Sequence, residues 1–379
     1  MRALAVIGRG AEWRAAALIR ALAASAASVA AARPRTPGAE DRGGEGAEFV
    51  AANGALWPNE CFWLEFATGR PLLPEIPCPD CDFLVIAIPS GRSPPRAVAG
   101  VAIEVLKAES LPVRPDAFGR PFLAAAIPGL PAQALHPPAL SGAPLRIGIV
   151  GDDRHHREIY PAVLATLGEA AERTGVSVRP VFLAPDRPAP LDPAPLHGLI
   201  LPGGSRLGEV PAQIAAAGAA IDAGLPLFGL CLGMQSMTTA ILRRSGWEAA
   251  ALEEVAGPGP QRSFTRLHDA GGAGLHRLGE AHLTPVPRSR LAALVPQGAT
   301  LRINHRYALD DAAAAALPQG VTLHRDEDGF AAAIEMPAHP FCIGLQGHPE
   351  QGTDPALRCL WDGLLRAAAR ARDRGISSA

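Results

Sequence analysis

The segment Pro226-Leu-Phe-Gly-Leu-Cys231-Leu-Gly-Met-Gln235 carries the clearest fold information in this 379-residue chain. An apolar run ends at Gly229, a cysteine follows, and Gly233 completes the spacing G-x-C-x-G, the thiol counterpart of the G-x-S-x-G nucleophile turn. The pattern predicts a buried strand that turns sharply into a helix, with Cys231 on the turn. The N–H groups and positive dipole end of that helix would favour the thiolate of Cys231, which attacks carbonyl groups. Without partners, the cysteine could equally be a small buried apolar residue.

Strands and helices alternate around this segment. A helical pattern covers residues 159–174, and short apolar runs precede and follow it at Leu145–Val150, Val178–Leu183, Gly198–Leu201 and 225–229. This alternation predicts an α/β fold with a mostly parallel, twisted sheet flanked by helices. In such sheets, reactive residues lie on loops at the carboxyl ends of the strands.

A second strand-end motif, Cys342-Ile-Gly-Leu-Gln-Gly-His348-Pro-Glu350, could supply the partners of Cys231. His348 could take the thiol proton and later return it to a leaving amine, while Glu350 could hold the imidazole in the required tautomer. Residues two apart in an extended segment point to the same side, which suits this arrangement.

A third strand-end motif is Leu199-Ile-Leu-Pro-Gly203-Gly204. Paired glycines let the backbone approach a substrate and turn an N–H toward it, so Gly204 and Leu232 are candidate donors of an oxyanion hole. A simple tight turn would also explain these glycines taken alone. The three motifs together favour a nucleophilic cysteine site at one edge of the sheet.

Residues 145–370, about three-fifths of the chain, resemble the class I (triad) glutamine amidotransferase family, and most closely the glutaminase domain of CTP synthase. The resemblance implies a flavodoxin-like fold for this region. The motifs that carry it, in the order of the family, are LPGG (201–204), GLCLGMQ (229–235), Arg277-Leu-Gly279, His305-Arg-Tyr307, the segment 332–341 and GLQGHPE (344–350).

The resemblance also implies a role for individual residues. Cys231 would be the nucleophile, His348 the base, and Glu350 the group that orients the base. The implied reaction is hydrolysis of L-glutamine to glutamate and ammonia through a γ-glutamyl thioester, with no cofactor and no metal. The oxyanion donors would be Gly204 and Leu232, and the substrate contacts Gly203, Gln235, Glu254 and Arg306.

Two segments depart from the pattern of CTP synthases. Those enzymes have Phe after the paired glycines, where this chain has Ser205-Arg206. They also have an arginine-rich segment before His-Arg-Tyr, where this chain has Arg302-Ile-Asn304. The residue that binds the substrate carboxylate is therefore open between Arg302, Arg306 and Arg206.

Residues 1–143 are predicted to form a smaller N-terminal α/β domain that ends in a proline-rich linker, 127–144, before an amidotransferase domain at 144–379. The Gly-Arg-Gly turn at 8–10 lacks the third glycine of a dinucleotide fingerprint, which favours a plain strand-to-helix turn. The predicted elements are strands at 4–7 and 83–88 and helices at 12–24 and 98–107.

The N-terminal residues are too few for the ATP- and UTP-using synthetase domain of CTP synthases. Lys107, the only lysine in the chain, does not lie in a phosphate-binding loop. We therefore expect no CTP formation by this chain alone, and transfer of ammonia either with a separate ATP-dependent synthetase subunit or through the N-terminal domain. Two alternatives are a triad hydrolase of γ-glutamyl compounds without ammonia transfer, and a non-catalytic binding module on the same fold.

The composition argues against several classes of partner. The 35 Lys and Arg balance the 37 Asp and Glu to a net charge of −2 without runs of like charge, so neither nucleic acid nor an anionic membrane is an expected partner. Charged residues interrupt the N-terminal apolar stretch, so no signal peptide or membrane span is predicted, and we expect a cytoplasmic protein with reduced thiols. Zinc at Cys78-Pro-Asp-Cys81 would need further ligands, so incidental thiols are the preferred interpretation. An oligomer is possible.

Overall fold

The computed structural model describes residues 1–34, 48–50, 56–70, 72, 80–184, 196–204, 206–352 and 354–375. Internal contacts divide the chain into two compact units, Met1–Ala139 and Leu140–Ala379. The division falls inside the proline-rich segment 127–144. No helix in the described ranges is both long and apolar enough to cross a membrane.

The N-terminal unit is an α/β unit. Its strands and helices are β1 (Arg2–Ile7), α1 (Ala11–Ala24), β2 (Val29–Ala32), β3 (Glu48–Val50), β4 (Leu56–Pro58), α2 (Phe62–Thr68), β5 (Phe83–Ile88), β6 (Ala97–Val98), β7 (Val101–Lys107), β8 (Val113–Pro115) and β9 (Pro121–Leu123). Five of them form a sheet in the order β2-β5-β1-β7-β6, in which β1 is parallel to both β5 and β7. The predicted strands at 4–7 and 83–88 and the predicted helix at 12–24 are present as β1, β5 and α1.

The helix predicted at residues 98–107 is wrong, because this segment belongs to the hairpin of β6 and β7. Val98 pairs with Val101, and the two residues between them, Ala99 and Gly100, have φ values of 48° and 79°. A two-residue turn with positive φ at both positions matches the twist of an antiparallel pair. β-Branched residues at alternate positions of β7 also favour a strand over a helix.

The C-terminal unit is larger. Its strands and helices are β10 (Leu145–Val150), α3 (Ala162–Thr174), β11 (Val178–Leu183), β12 (Gly198–Leu201), α4 (Val210–Asp222), β13 (Leu227–Leu230), α5 (Leu232–Arg244), β14 (Ala251–Leu252), α6 (Glu253–Ala256), β15 (Arg262–Arg266), β16 (Arg277–Thr284), α7 (Arg290–Leu294), β17 (Ala299–His305), β18 (Tyr307–Leu309), α8 (Asp311–Ala315), β19 (Thr322–Asp326), β20 (Ala331–Glu335), β21 (Cys342–Leu345) and α9 (Arg358–Asp373).

Nine of these strands form one sheet in the order β11-β10-β12-β13-β21-β20-β19-β16-β17. The first five are parallel to their neighbours, and the last four continue the sheet as antiparallel strands. Helices cover both faces of the parallel half: Phe228 of β13 packs on Trp361 of α9, whereas Leu227 joins a core cluster with residues of α4 and α5. The predicted α/β fold with a helix-flanked, mostly parallel sheet is confirmed, and the antiparallel half adds strands that were not predicted from the sequence.

Three parallel strands, β10, β11 and β12, have the predicted bounds. Strand β13 starts at Leu227, not at 225, because the N–H of Leu225 still donates to the carbonyl of Ala220 at the end of α4. Helix α3 starts later than predicted, because a π-helical turn, His155–Ile159, and Pro161 precede it.

Candidate functional site

The carboxyl ends of β12, β13 and β21 bring the three strand-end motifs together. Strand β13 lies between the other two and is parallel to both. Strand β12 leads into Gly203 and Gly204, β13 into Cys231, and β21 into the segment that holds His348 and Glu350. The cysteine therefore follows the central strand of the three, as the pattern of a parallel sheet predicts.

Cys231 occupies a sharp turn between β13 and α5. Its backbone has φ 47° and ψ −109°, a conformation that a residue with a side chain keeps only when its surroundings hold it there. Its N–H donates to the carbonyl of Leu345 at 2.7 Å, and α5 begins at the next residue. The side chain is nearly buried, with 7% of its surface exposed. The thiol thus lies at the N-terminus of a helix, where the dipole favours a negative charge.

Backbone contacts of two glycines fix this turn. A Cβ atom on Gly233 would lie 2.0 Å from the carbonyl oxygen of Leu201, at the end of β12. A Cβ atom on Gly229 would lie 3.0 Å from the backbone of Gly233. The first turn of α5 therefore packs directly on the backbone of β12, which only glycine at position 233 permits.

Gly203 lies close to both Cys231 and His348. A Cβ atom there would lie 3.1 Å from Cβ of Cys231 and 3.1 Å from Cε1 of His348. Gly204 follows with φ 119°, a backbone conformation that residues with side chains rarely adopt. Gly203 and Cys231 lie next to each other, and the two predicted oxyanion residues, Gly204 and Leu232, directly follow them in the chain. The N–H groups of Gly204 and Leu232 are therefore each one residue away from this point of approach.

His348 and Glu350 form a buried pair. Nδ1 of His348 lies 2.8 Å from Oε1 of Glu350, so Nδ1–H donates to the carboxylate and Nε2 is the ring nitrogen that can exchange a proton with the thiol. Burial lowers the pKa of His348, but the Cys231 thiolate, which forms a hydrogen bond with the ring, and the Glu350 carboxylate outweigh burial and raise it to about 10. The arrangement thus favours the imidazolium form of His348 next to Cys231.

Two buried glutamine side chains extend this network. Nε2 of Gln346 donates to Sγ of Cys231 at 3.8 Å, and Nε2 of Gln235 donates to Oε1 of Gln346 at 3.4 Å. Oε1 of Gln235 is buried, and no hydrogen-bond partner for it is found among the described residues. Since buried acceptors are nearly always satisfied, a ligand N–H or a water would complete this group.

A family model of the class I glutamine amidotransferases matches residues 167–365, more than half of the chain. The chain belongs to this family. Its amidotransferase region is 29% identical over 209 residues to a CTP synthase of Methanosphaerula palustris and 31% identical over 179 residues to one of Deinococcus radiodurans. The two alignments cover 52% and 43% of this chain but 39% and 33% of those relatives. The chain therefore spans less than half the length of the curated relatives it matches.

A solved structure agrees with this assignment. The glutaminase domain of Trypanosoma brucei CTPS with bound acivicin is 25% identical to this chain, with a TM-score of 0.53. The alignment covers 60% of this chain and 94% of that domain. The amidotransferase region is thus similar to a CTP synthase glutaminase domain in both sequence and fold.

Sequence reasoning missed one residue of this amidotransferase site, Tyr160. Its buried phenol donates a hydrogen bond to Oε1 of Glu350 and lies 3.0 Å from Nδ1 of His348. Nε2 of Gln351 donates to the phenol oxygen at 3.2 Å. Tyr160 directly follows the π-helical turn after β10, and a polar aromatic residue between the carboxyl end of a parallel strand and the next helix was the available signal.

Two of the predicted substrate contacts lie outside the buried network. Glu254 is exposed in α6, and Arg306 is exposed between β17 and β18. Gly203 and Gln235, by contrast, are next to Cys231 or linked to it through Gln346.

The other two candidates for binding the substrate carboxylate have structural contacts of their own. Arg302 is buried in β17, and its carbonyl accepts a hydrogen bond from the N–H of His348 at 2.8 Å. Arg206 forms ion pairs with Asp152 and with Glu209. The backbone of Arg302 thus supports the histidine segment, whereas Arg206 ties the loop after Gly204 to the loop after β10.

The cysteine pair considered for zinc is only partly visible. Cys81 is buried, and Cys78 lies outside the described residues, as does Ser205. Across the part of the chain that the structure describes, no group of three or more His, Cys, Asp or Glu side chains could hold a metal ion.

Proposed function

We propose that this chain hydrolyses L-glutamine to glutamate and ammonia, with Cys231, His348 and Glu350 as its catalytic triad. The observation that carries the proposal is a nearly buried cysteine on a strained strand-to-helix turn, hydrogen-bonded to a histidine that is paired with a carboxylate. Thiol, base and orienting carboxylate in this order are what acyl transfer by a cysteine requires. Membership of the amidotransferase family supports glutamine as the acyl donor.

The proposed reaction proceeds in two steps. The Cys231 thiolate attacks the side-chain amide carbon of glutamine, and the oxyanion that forms accepts hydrogen bonds from the N–H groups of Gly204 and Leu232. The His348 imidazolium gives its proton to the amide nitrogen, and the C–N bond breaks. Ammonia departs, and a γ-glutamyl thioester remains on Cys231. A water molecule then attacks the thioester while His348 takes its proton, and the thiolate leaves as glutamate forms.

Substrate binding is proposed at the groups around this centre. Gln235 offers a buried amide oxygen that would accept an N–H of glutamine, and Gly203 lets the substrate approach the thiol. Glu254 and Arg306 are proposed for the charged α-amino and carboxylate groups. Their exposure means that they would contact the outer end of the substrate.

The ammonia that is released needs an acceptor reaction. The similarity to CTP synthases covers the glutaminase region, for which we propose the bounds 144–379. We propose that the ammonia passes to an ATP-dependent synthetase on a separate subunit, or through the N-terminal domain, in the cytoplasm.

Glutamate and ammonia release from L-glutamine tests the proposal. Cys231→Ala should lower the rate at least about a thousandfold without loss of folding, because it removes the nucleophile. Cys359→Ala, at an exposed cysteine, is the matched control and should retain full activity. Equal activity of Cys231→Ala and wild type would refute the triad.

Two further outcomes separate the alternatives. Cleavage of γ-glutamyl amides or peptides without hydrolysis of glutamine would indicate a γ-glutamyl hydrolase. If a glutamine-analogue diazoketone fails to label Cys231 in the presence of candidate synthetase subunits, the chain is a binding module.

A further inference from the structure

We propose that Tyr160 is a positioning residue of the triad, which holds the Glu350 carboxylate in place behind His348. The role in turnover rests on the proposed glutaminase function. The contacts of Tyr160 do not, because these groups touch one another in the folded chain whether or not glutamine is hydrolysed.

The phenol of Tyr160 lies at the centre of a small buried network. Its O–H donates to Oε1 of Glu350, the same oxygen that accepts Nδ1–H of His348 at 2.8 Å. Its oxygen accepts a hydrogen bond from Nε2 of Gln351 at 3.2 Å. Only 4% of Tyr160 is exposed, so water cannot easily replace the phenol.

Glu350 depends on this donor because its other oxygen is unsupported. Oε2 of Glu350 is buried, and the described residues provide it with no hydrogen-bond partner. A buried carboxylate needs hydrogen-bond donors in place of the lost water, and here these are Tyr160 and His348. Burial and the nearby Glu350 charge raise the pKa of Tyr160 well above its usual value, so the phenol remains a proton donor throughout the working pH range.

Tyr160 lies far from Glu350 in the sequence, and the turn after β10 brings the two side chains together. The residue ends the π-helical turn His155–Ile159, where its N–H donates to the carbonyl of His155 at 2.9 Å. Turns of this type occur frequently at functional sites. From the following helix, Thr166 donates its hydroxyl to the backbone carbonyl of Glu350 at 3.2 Å. One segment therefore holds Glu350 twice, at the carboxylate and at the backbone.

These two contacts give a matched pair of variants. Tyr160→Phe removes the hydroxyl that donates to the carboxylate and leaves the ring. Thr166→Val removes the hydroxyl that donates to the backbone of the same residue. A purely structural role would make the two variants behave alike, whereas the positioning role affects the charge of the triad in Tyr160→Phe only.

Two measurements report on that charge. The first is the pH dependence of kcat/KM for glutamine, together with kcat and KM. The second is the pH dependence of Cys231 alkylation by iodoacetamide, read by peptide mass spectrometry with the exposed Cys359 as an internal reference. Alkylation follows the thiolate and requires no glutamine turnover.

For Tyr160→Phe we expect the acid limbs of both profiles to move to higher pH by about one unit, since the carboxylate that orients His348 is then held less firmly. At low pH, alkylation should be about tenfold slower, and kcat should fall about tenfold with little change in KM. Thr166→Val should leave both limbs in place. Gln351→Met, which removes the amide that donates to the phenol, should shift the limbs in the same direction by a smaller amount, and it replaces Tyr160→Phe as the test if that variant does not fold.

Unmoved limbs in Tyr160→Phe, or equal shifts in Thr166→Val, would overturn the positioning role. A shift of the alkylation limb in Tyr160→Phe alone would uphold that role even if the wild-type protein does not hydrolyse glutamine. In that case the proposed function fails and the positioning of the triad by Tyr160 remains.

Discussion

Replacement of Gly233 by alanine tests whether backbone packing fixes the cysteine turn. In a helix, alanine is about 1 kcal/mol more favourable than glycine, so helix propensity alone predicts a more stable protein. The added Cβ, however, would lie 2.0 Å from the oxygen and 2.5 Å from the carbon of the Leu201 carbonyl. Overpacking of this kind costs about 3 kcal/mol when the obstructing atoms are backbone and cannot rotate away. We therefore expect a net loss of about 2 kcal/mol, or a Tm lower by about 4–8 °C.

The assay is differential scanning calorimetry, with Gly218→Ala as the matched control. Gly218 lies in α4, and a Cβ atom there would meet the guanidinium of Arg244 at 2.4 Å, the far end of a flexible side chain that pairs with Asp222 at the surface. Gly218→Ala should therefore be as stable as wild type or more stable by up to about 1 kcal/mol. A Tm of Gly233→Ala equal to or above that of Gly218→Ala would refute the reasoning. Because α5 must shift to accept the methyl group, glutaminase activity should fall in the same variant.

Two further predictions concern the antiparallel half of the sheet. Burial lowers the pKa of His305 to about 4, so below about pH 6.5 this histidine is protonated in the unfolded chain but neutral in the folded chain. Between about pH 7 and pH 5 wild type should therefore lose about 2 kcal/mol more stability than His305→Gln. Equal losses of stability for the two proteins, measured by urea unfolding at both pH values, would contradict this. Arg277→Ala should lower the free energy of unfolding in urea by about 3 kcal/mol, because it leaves the buried Asp326 without its 2.7 Å ion pair. Arg244→Ala, which removes an exposed ion pair, should lower it by less than about 1 kcal/mol. Similar losses in the two variants would show that burial of the ion pair does not matter here.

The parallel half of the sheet could be predicted from sequence because its strands are buried on both faces. Such strands are continuous apolar runs, and β10, β11 and β12 accordingly have their predicted bounds. Strand β16 shows why the antiparallel half was harder. At its start Arg277 is buried and Leu278 exposed, so the first two positions reverse the polarity pattern that the remaining positions of the strand follow.

The residues of the site also differ in how far they can be predicted from the sequence. Cys231, His348 and Glu350 belong to short motifs whose strand-end positions are readable along the chain. Their mutual contacts require a fold, and the fold class was predictable. Tyr160 lies 190 residues before Glu350, and no local pattern indicates that contact, because it depends on the path of a π-helical turn.

The backbone conformation at position 231 does not depend on the sulfur atom of Cys231. The turn is held by an N–H bond to Leu345 and by the approach of Gly233 to Leu201, and neither contact involves the sulfur atom. A serine or alanine at this position would meet the same backbone constraints and present its side chain in the same place. The proposed nucleophile can therefore be exchanged for another small group without redesign of the scaffold, which makes position 231 suitable for trapping a bound substrate or installing a different reactive atom.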